Sequence, residues 1–77
     1  MNIQNEVIDG NIGSYTTNIL GYDYFVGYSI LKDSYLVTIG DNDTFNLIYG
    51  SFIFVDSLTA MKREVDYILT HMIIDNL

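Results

Sequence analysis

The chain has 77 residues with no cysteine, no proline and no tryptophan, and ten acidic side chains stand against three basic ones for a formal net charge of −7. That length allows one hydrophobic core and excludes two. The missing cysteine excludes disulfides, thiolate zinc sites and a cysteine nucleophile, and the acidity disfavours direct binding to nucleic acid or to an anionic membrane.

Hydrophobic residues make up 49% of the sequence, with seven Tyr and four Phe, so apolar packing is expected to hold one domain over residues 1–77. Residues 3–8 alternate in part and suggest a short strand. Asp9-Gly10-Asn11 reads as a turn, and residues 14–20 as a second, weakly patterned strand. The signal strengthens at Tyr22, because Tyr22, Tyr24, Val26, Tyr28 and Ile30 recur at period two with Asp23, Gly27 and Ser29 between them. Lys32-Asp33-Ser34 makes a turn, and Tyr35, Val37 and Ile39 continue the alternation in a strand that should pair antiparallel with the one before. Gly40-Asp41-Asn42-Asp43 is the clearest turn in the chain. A strand from Thr44 follows, with Phe45, Leu47 and Tyr49 on one face and a bulge or bend expected at Gly50-Ser51 before residues 52–55. Asp56 or Ser57 then caps a helix whose apolar residues Leu58, Met61, Val65, Ile68, Leu69 and Met72 fall at three- and four-residue spacing. The expected fold is α+β: an antiparallel β-meander of three to five strands followed by one C-terminal amphipathic helix packed on one sheet face.

A single helix covers only one face of such a sheet. The face of Tyr24, Val26, Tyr28, Val37, Phe45 and Leu47 is the better candidate for it. The other face would then carry Asp23, Phe25, Ser29, Leu31, Leu36, Thr38, Asn46 and Ile48, unless the N-terminal segment folds across it. Contiguous exposed apolar surface of this kind marks an interface, and tyrosine suits one because its ring packs while its hydroxyl stays hydrated.

Motifs for chemistry are missing. His71, the only imidazole, has no companion base or nucleophile and is expected to serve the helix C-terminus. Asp41 and Asp43 have the alternation of a calcium loop, but Phe45 takes the next ligand position and no closing glutamate follows. Gly10-Asn11-Ile12-Gly13 fits neither a P-loop nor a dinucleotide fingerprint, so no cofactor or metal is expected and the chain is read as non-enzymatic. A paired-carboxylate hydrolase is a remote third reading, since a chain this small offers little room for a cleft. No apolar run approaches the ~20 residues that cross a bilayer. The opening Met1-Asn2-Ile3-Gln4-Asn5-Glu6 lacks the basic and apolar stretches of a signal peptide, so the expected compartment is the cytoplasm. In that setting Asn42-Asp43-Thr44 is a chance match to a glycosylation sequon.

The run Phe54-Val55-Asp56-Ser57-Leu58-Thr59-Ala60-Met61-Lys62-Arg63-Glu64-Val65-Asp66 is similar to the strand-to-helix junction of small bacterial and phage β-meander-plus-helix domains, with Ser57, Leu58, Met61, Val65 and Asp66 at the matching positions. By length, acidity and lack of catalytic motifs, the chain also resembles the small acidic inhibitors of phages and mobile elements, of the anti-CRISPR type. This likeness is one of type and has no diagnostic motif. It implies a non-enzymatic protein-binding inhibitor in the cytoplasm of a bacterial host that blocks a defence nuclease complex. Carboxylates would stand where phosphates lie, or a protein surface would be covered. The partner would be a basic protein or nucleoprotein surface, since a groove built for phosphates attracts other anions. Candidate contact residues are Asp23, Phe25, Asp33, Leu36, Asp41 and Asp43. The alternative is a structural or assembly module that forms a homodimer through its open sheet face, where acidity serves solubility.

Overall fold

The computed structural model describes residues 2–77. Five strands, β1 (Ile3–Asp9), β2 (Ile12–Ile19), β3 (Tyr22–Ile30), β4 (Tyr35–Asp41) and β5 (Leu47–Ile53), form one antiparallel sheet in sequence order, and helix α1 (Leu58–Asp75) follows. The expected meander and terminal helix are both present. Its first segment is the edge strand beside β2, so it does not cross the open face.

The turns explain the order. Asp9 faces Ile12 across a two-residue loop in which Gly10 has φ 60°, and Ile19 faces Tyr22 across Leu20 (φ 53°) and Gly21 (φ 90°). Both are tight connections with left-handed backbone, whose twist matches that of paired strands. Between β4 and β5 the Asp41 carboxylate accepts hydrogen bonds from the N–H groups of Asp43 (2.7 Å) and Thr44 (3.1 Å). Phe45 closes the loop at φ 59°.

The core lies between the sheet and α1. Tyr15, Val26, Val37 and Ile39 from the strands meet Met61, Val65 and Leu69 from the helix, all within 1% of complete burial. The three helical residues recur every four positions and so form one stripe. Burial of side chains of this size is worth about 1.5–3 kcal/mol each. Ser57 is the N-cap, its Oγ accepting from the Ala60 N–H at 3.1 Å. At the other end the Asn76 side chain donates to the Met72 carbonyl at 2.8 Å. His71 lies a turn before that end, exposed, with its ring 4.3 Å from that of Tyr67. Asn76, and not His71, therefore serves the C-terminal carbonyls.

Two irregularities decide which side chains face the helix. Pairing of β1 with β2 slips between Gln4 and Val7, where Asn5 adopts φ 57°, a conformation that asparagine tolerates. The slip turns Glu6 to the helix side, where its carboxylate meets the Lys62 ammonium and accepts from the Tyr28 hydroxyl at 3.4 Å. Pairing of β4 with β5 slips by one residue at Ile48, since Ile39 faces Tyr49 but Gly40 faces Leu47. One extra residue inverts the alternation on its N-terminal side. Leu47, expected under the helix, is instead 68% exposed on the open side, while Ile48, expected on the open side, is turned toward Tyr24, Met72 and Ile73. Phe45, also expected in the core, is held in the turn and is 80% exposed. No bulge occurs at Gly50-Ser51, and β5 runs straight through both.

Candidate interaction surface

The sheet face away from α1 is built by alternation. Ile12, Ser14 and Thr16 come from β2, Phe25, Gly27 and Ser29 from β3, Leu36, Thr38 and Gly40 from β4, and Leu47, Gly50 and Phe52 from β5. Across strands Phe25 lies between Thr16 and Gly40, Gly27 between Ser14 and Thr38, and Leu36 between Ser29 and Phe52. Glycine and threonine thus floor the middle of the face, with Phe25, Leu36, Leu47 and Phe52 standing around them. A shallow concavity of about 310 Å³ sits over Gly27, bordered by Ile12, Phe25, Leu36 and Thr38. The middle of this face carries no charge, and its acids stand at the margins: Asp9, which faces Ile12, and Asp23, in the same alternation as Phe25. Asp23, at the β2–β3 end of the same face, is the nearest acid in sequence, and its carboxylate accepts from the Asn18 side chain at 2.9 Å.

The six residues singled out from the sequence fall into three places. Phe25 and Leu36 are on the open face, both partly exposed. Asp23, Asp41 and Asp43 gather at one end of the sheet, where the Asn42 N–H donates to the Asp23 carbonyl at 3.1 Å and ties the two turns together. Asp33 lies in the β3–β4 turn, which the meander puts at the opposite end with Asp56 and the helix start. Four carboxylates that look interchangeable in sequence therefore do not form one patch. Asp41 is further committed to its own turn. Leu47, expected under the helix, and Phe52, not singled out from the sequence, complete the apolar rim. Phe52 could have been found from its parity with Gly50, but Leu47 was hidden by the bulge.

A second polar cluster lies under the helix. Lys62 sits between Glu6 and the Tyr15 ring, 5.7 Å from the ring centroid. The Tyr15 hydroxyl and one Asp66 carboxylate oxygen are buried without a hydrogen-bond partner. Burial pushes the Tyr15, Tyr24 and Tyr28 phenols above their ordinary value, and it pushes the Asp66 carboxyl up as well. With Tyr15 only 1% exposed, Glu6, Tyr15 and Lys62 tie β1 and β2 to α1. An open concavity of about 450 Å³ between the β3–β4 turn and residues 54–56 is lined by Lys32, Asp33, Ser34 and Asp56 and does not include the imidazole. Among the described residues no three His, Cys, Asp or Glu side chains are grouped to hold a metal ion, and no helix is long and apolar enough to cross a membrane.

No family model, curated protein or solved structure matches the chain.

Proposed function

We propose that this chain is a non-enzymatic protein-binding inhibitor of the small phage type, which lays its open sheet face on a partner protein. The observation that carries the reading is the face itself: Phe25, Leu36, Leu47 and Phe52 exposed around a floor of glycine and threonine, with no charge among them. Aromatic groups around an uncharged centre are the composition of a contact that gains energy by excluding water. The acids stand at the two ends, where they favour a partner with a basic rim and speed its approach without supplying most of the affinity. This distribution favours steric cover of a protein surface over imitation of a phosphate backbone, because Asp33 is separated from Asp23, Asp41 and Asp43 by the length of the sheet.

The test is capture of a partner from a bacterial lysate by the parent and by Phe25→Glu, Asp43→Asn and Asp33→Asn. Phe25→Glu, which puts a charge in the middle of the face, should abolish retention of whatever the parent holds. Asp43→Asn should slow association in a salt-dependent way, and Asp33→Asn should do the same only if the partner reaches both ends. Undiminished capture by Phe25→Glu would end the reading.

A further inference from the structure

Strand β5 forms one edge of the sheet, and past the slip at Ile48 its stretch from Tyr49 to Ile53 runs straight, with nothing that discourages a further strand. From Thr44 to Val55 there is no charged residue and no proline. The opposite edge, β1, has the slip at Asn5 and the acids Glu6 and Asp9, devices that blunt an edge against pairing. A groove of about 350 Å³, bordered by Tyr49, Ile53, Val55 and Ile68 with Glu64 from the helix beside them, opens beside β5.

The direction of the free backbone groups follows from the ladder. The Asp41 N–H donates to the Asn46 carbonyl, and antiparallel bonds recur at every second residue. Val37 and Ile39 therefore exchange bonds with Ser51 and Tyr49, which face them. The same alternation sends the N–H of Ile30 toward β2, and it does donate to Asn11 there, at 2.6 Å. The N–H and C=O of Gly50 and Phe52 consequently point away from the sheet.

We propose that β5 is a strand-addition edge whose occupant is β5 of a second copy, antiparallel about a two-fold axis at Ser51. This register is self-complementary. Gly50 of each copy bonds Phe52 of the other, and the Phe52 ring covers the glycine opposite, an arrangement that restores packing where glycine has none. Ser51 faces its own counterpart, where the close approach of a non-hydrogen-bonded pair suits a small side chain. On the helix side Tyr49 meets Ile53 twice. Because the outward groups of both copies belong to even-numbered residues, the two helices lie on one face of a ten-stranded sheet and the two open faces join on the other. A second copy fits this edge because Gly50 and Phe52 supply each other's partner across the axis, and although each chain has a net charge of −7 and Glu64 lies beside the groove, the paired strands themselves carry no charge between Thr44 and Val55. The inference does not rest on the docking reading, although pairing would present two docking faces side by side.

Sedimentation equilibrium and amide exchange on the intact chain test it. A seam made by one pair of strands is expected to fall below the ~1,200 Å² of a standard complex, so monomer and dimer should interconvert with half-association in roughly the 10–1,000 µM range. Added salt should favour the dimer by screening the two net charges. The amides of Gly50 and Phe52, open in dilute solution, should slow about tenfold at a concentration where nine chains in ten are paired. Ser51→Lys, which sets two ammonium groups face to face, should give a folded monomer, whereas Phe25→Glu should leave the dimer intact. A chain that stays monomeric at millimolar concentration overturns the proposal. So does a dimer whose Gly50 and Phe52 amides remain open, or one that survives Ser51→Lys. A dimer lost only in Phe25→Glu would assign self-association to the open face.

Discussion

Gly13 is the position where one methyl group should be felt most. A Cβ built there would lie 2.2 Å from the Tyr28 ring and 2.3 Å from its hydroxyl, because the ring lies across Gly13 to reach Glu6. Gly13 has no positive φ, so alanine carries no backbone penalty and the whole effect is steric. In the parent, Gly13→Ala must push aside a ring that is 3% exposed and packed against Tyr15, which should cost about 1–3 kcal/mol as overpacking. In a Tyr28→Leu background the obstacle is gone, and alanine in a strand is favoured over glycine by about 0.5–1 kcal/mol. The sign should therefore reverse, giving a coupling of roughly 1.5–4 kcal/mol in a double-mutant cycle. Urea unfolding of the four proteins measures it, and thermal midpoints should follow at about 4–8 °C per kcal/mol. Equal destabilisation by Gly13→Ala in both backgrounds would refute the reasoning, because the ring would then not be what glycine accommodates.

Three further outcomes are expected. Leu20, 63% exposed with φ 53°, sits where a tight hairpin prefers asparagine before glycine, so Leu20→Asn should raise stability by about 1 kcal/mol in denaturant titration without loss of packing. Leu69→Ala should cost about 2–5 kcal/mol in the same assay, since Leu69 is fully buried in the helix stripe. The Asp66 carboxyl is raised in the folded state by burial. A folded pKa above the unfolded one means stability that is complete below the unfolded value and is lost as pH rises through the folded one. Asp66→Asn should accordingly stabilise at pH 7 and lose that advantage toward pH 3. An advantage that instead grew on acidification would show the carboxylate to be favourably placed.

The sequence by itself determined the class of fold and the identity of its surest parts. Period-two recurrence over Tyr24, Val26 and Tyr28 and over Val37 and Ile39 put those residues in the core. The spacing of Met61, Val65 and Leu69 put one helix stripe upon them, because a strand and a helix each expose one face at a fixed period. Turn chemistry at Gly10 and Asp41 separated the strands correctly, since those side chains or their absence shape the local backbone. The tertiary structure alone decided where alternation breaks. A slip at Ile48 costs no recognisable residue type, yet it exchanges Leu47 with Ile48 between faces, and the slip at Asn5 carries Glu6 to Lys62. Register is settled by pairing with the neighbouring strand, which no window of sequence contains. The acids followed the same rule. Asp33 and Asp43 look equivalent along the chain, but each up-and-down strand reverses direction, so alternate turns fall at opposite ends and the negative charge is divided between them.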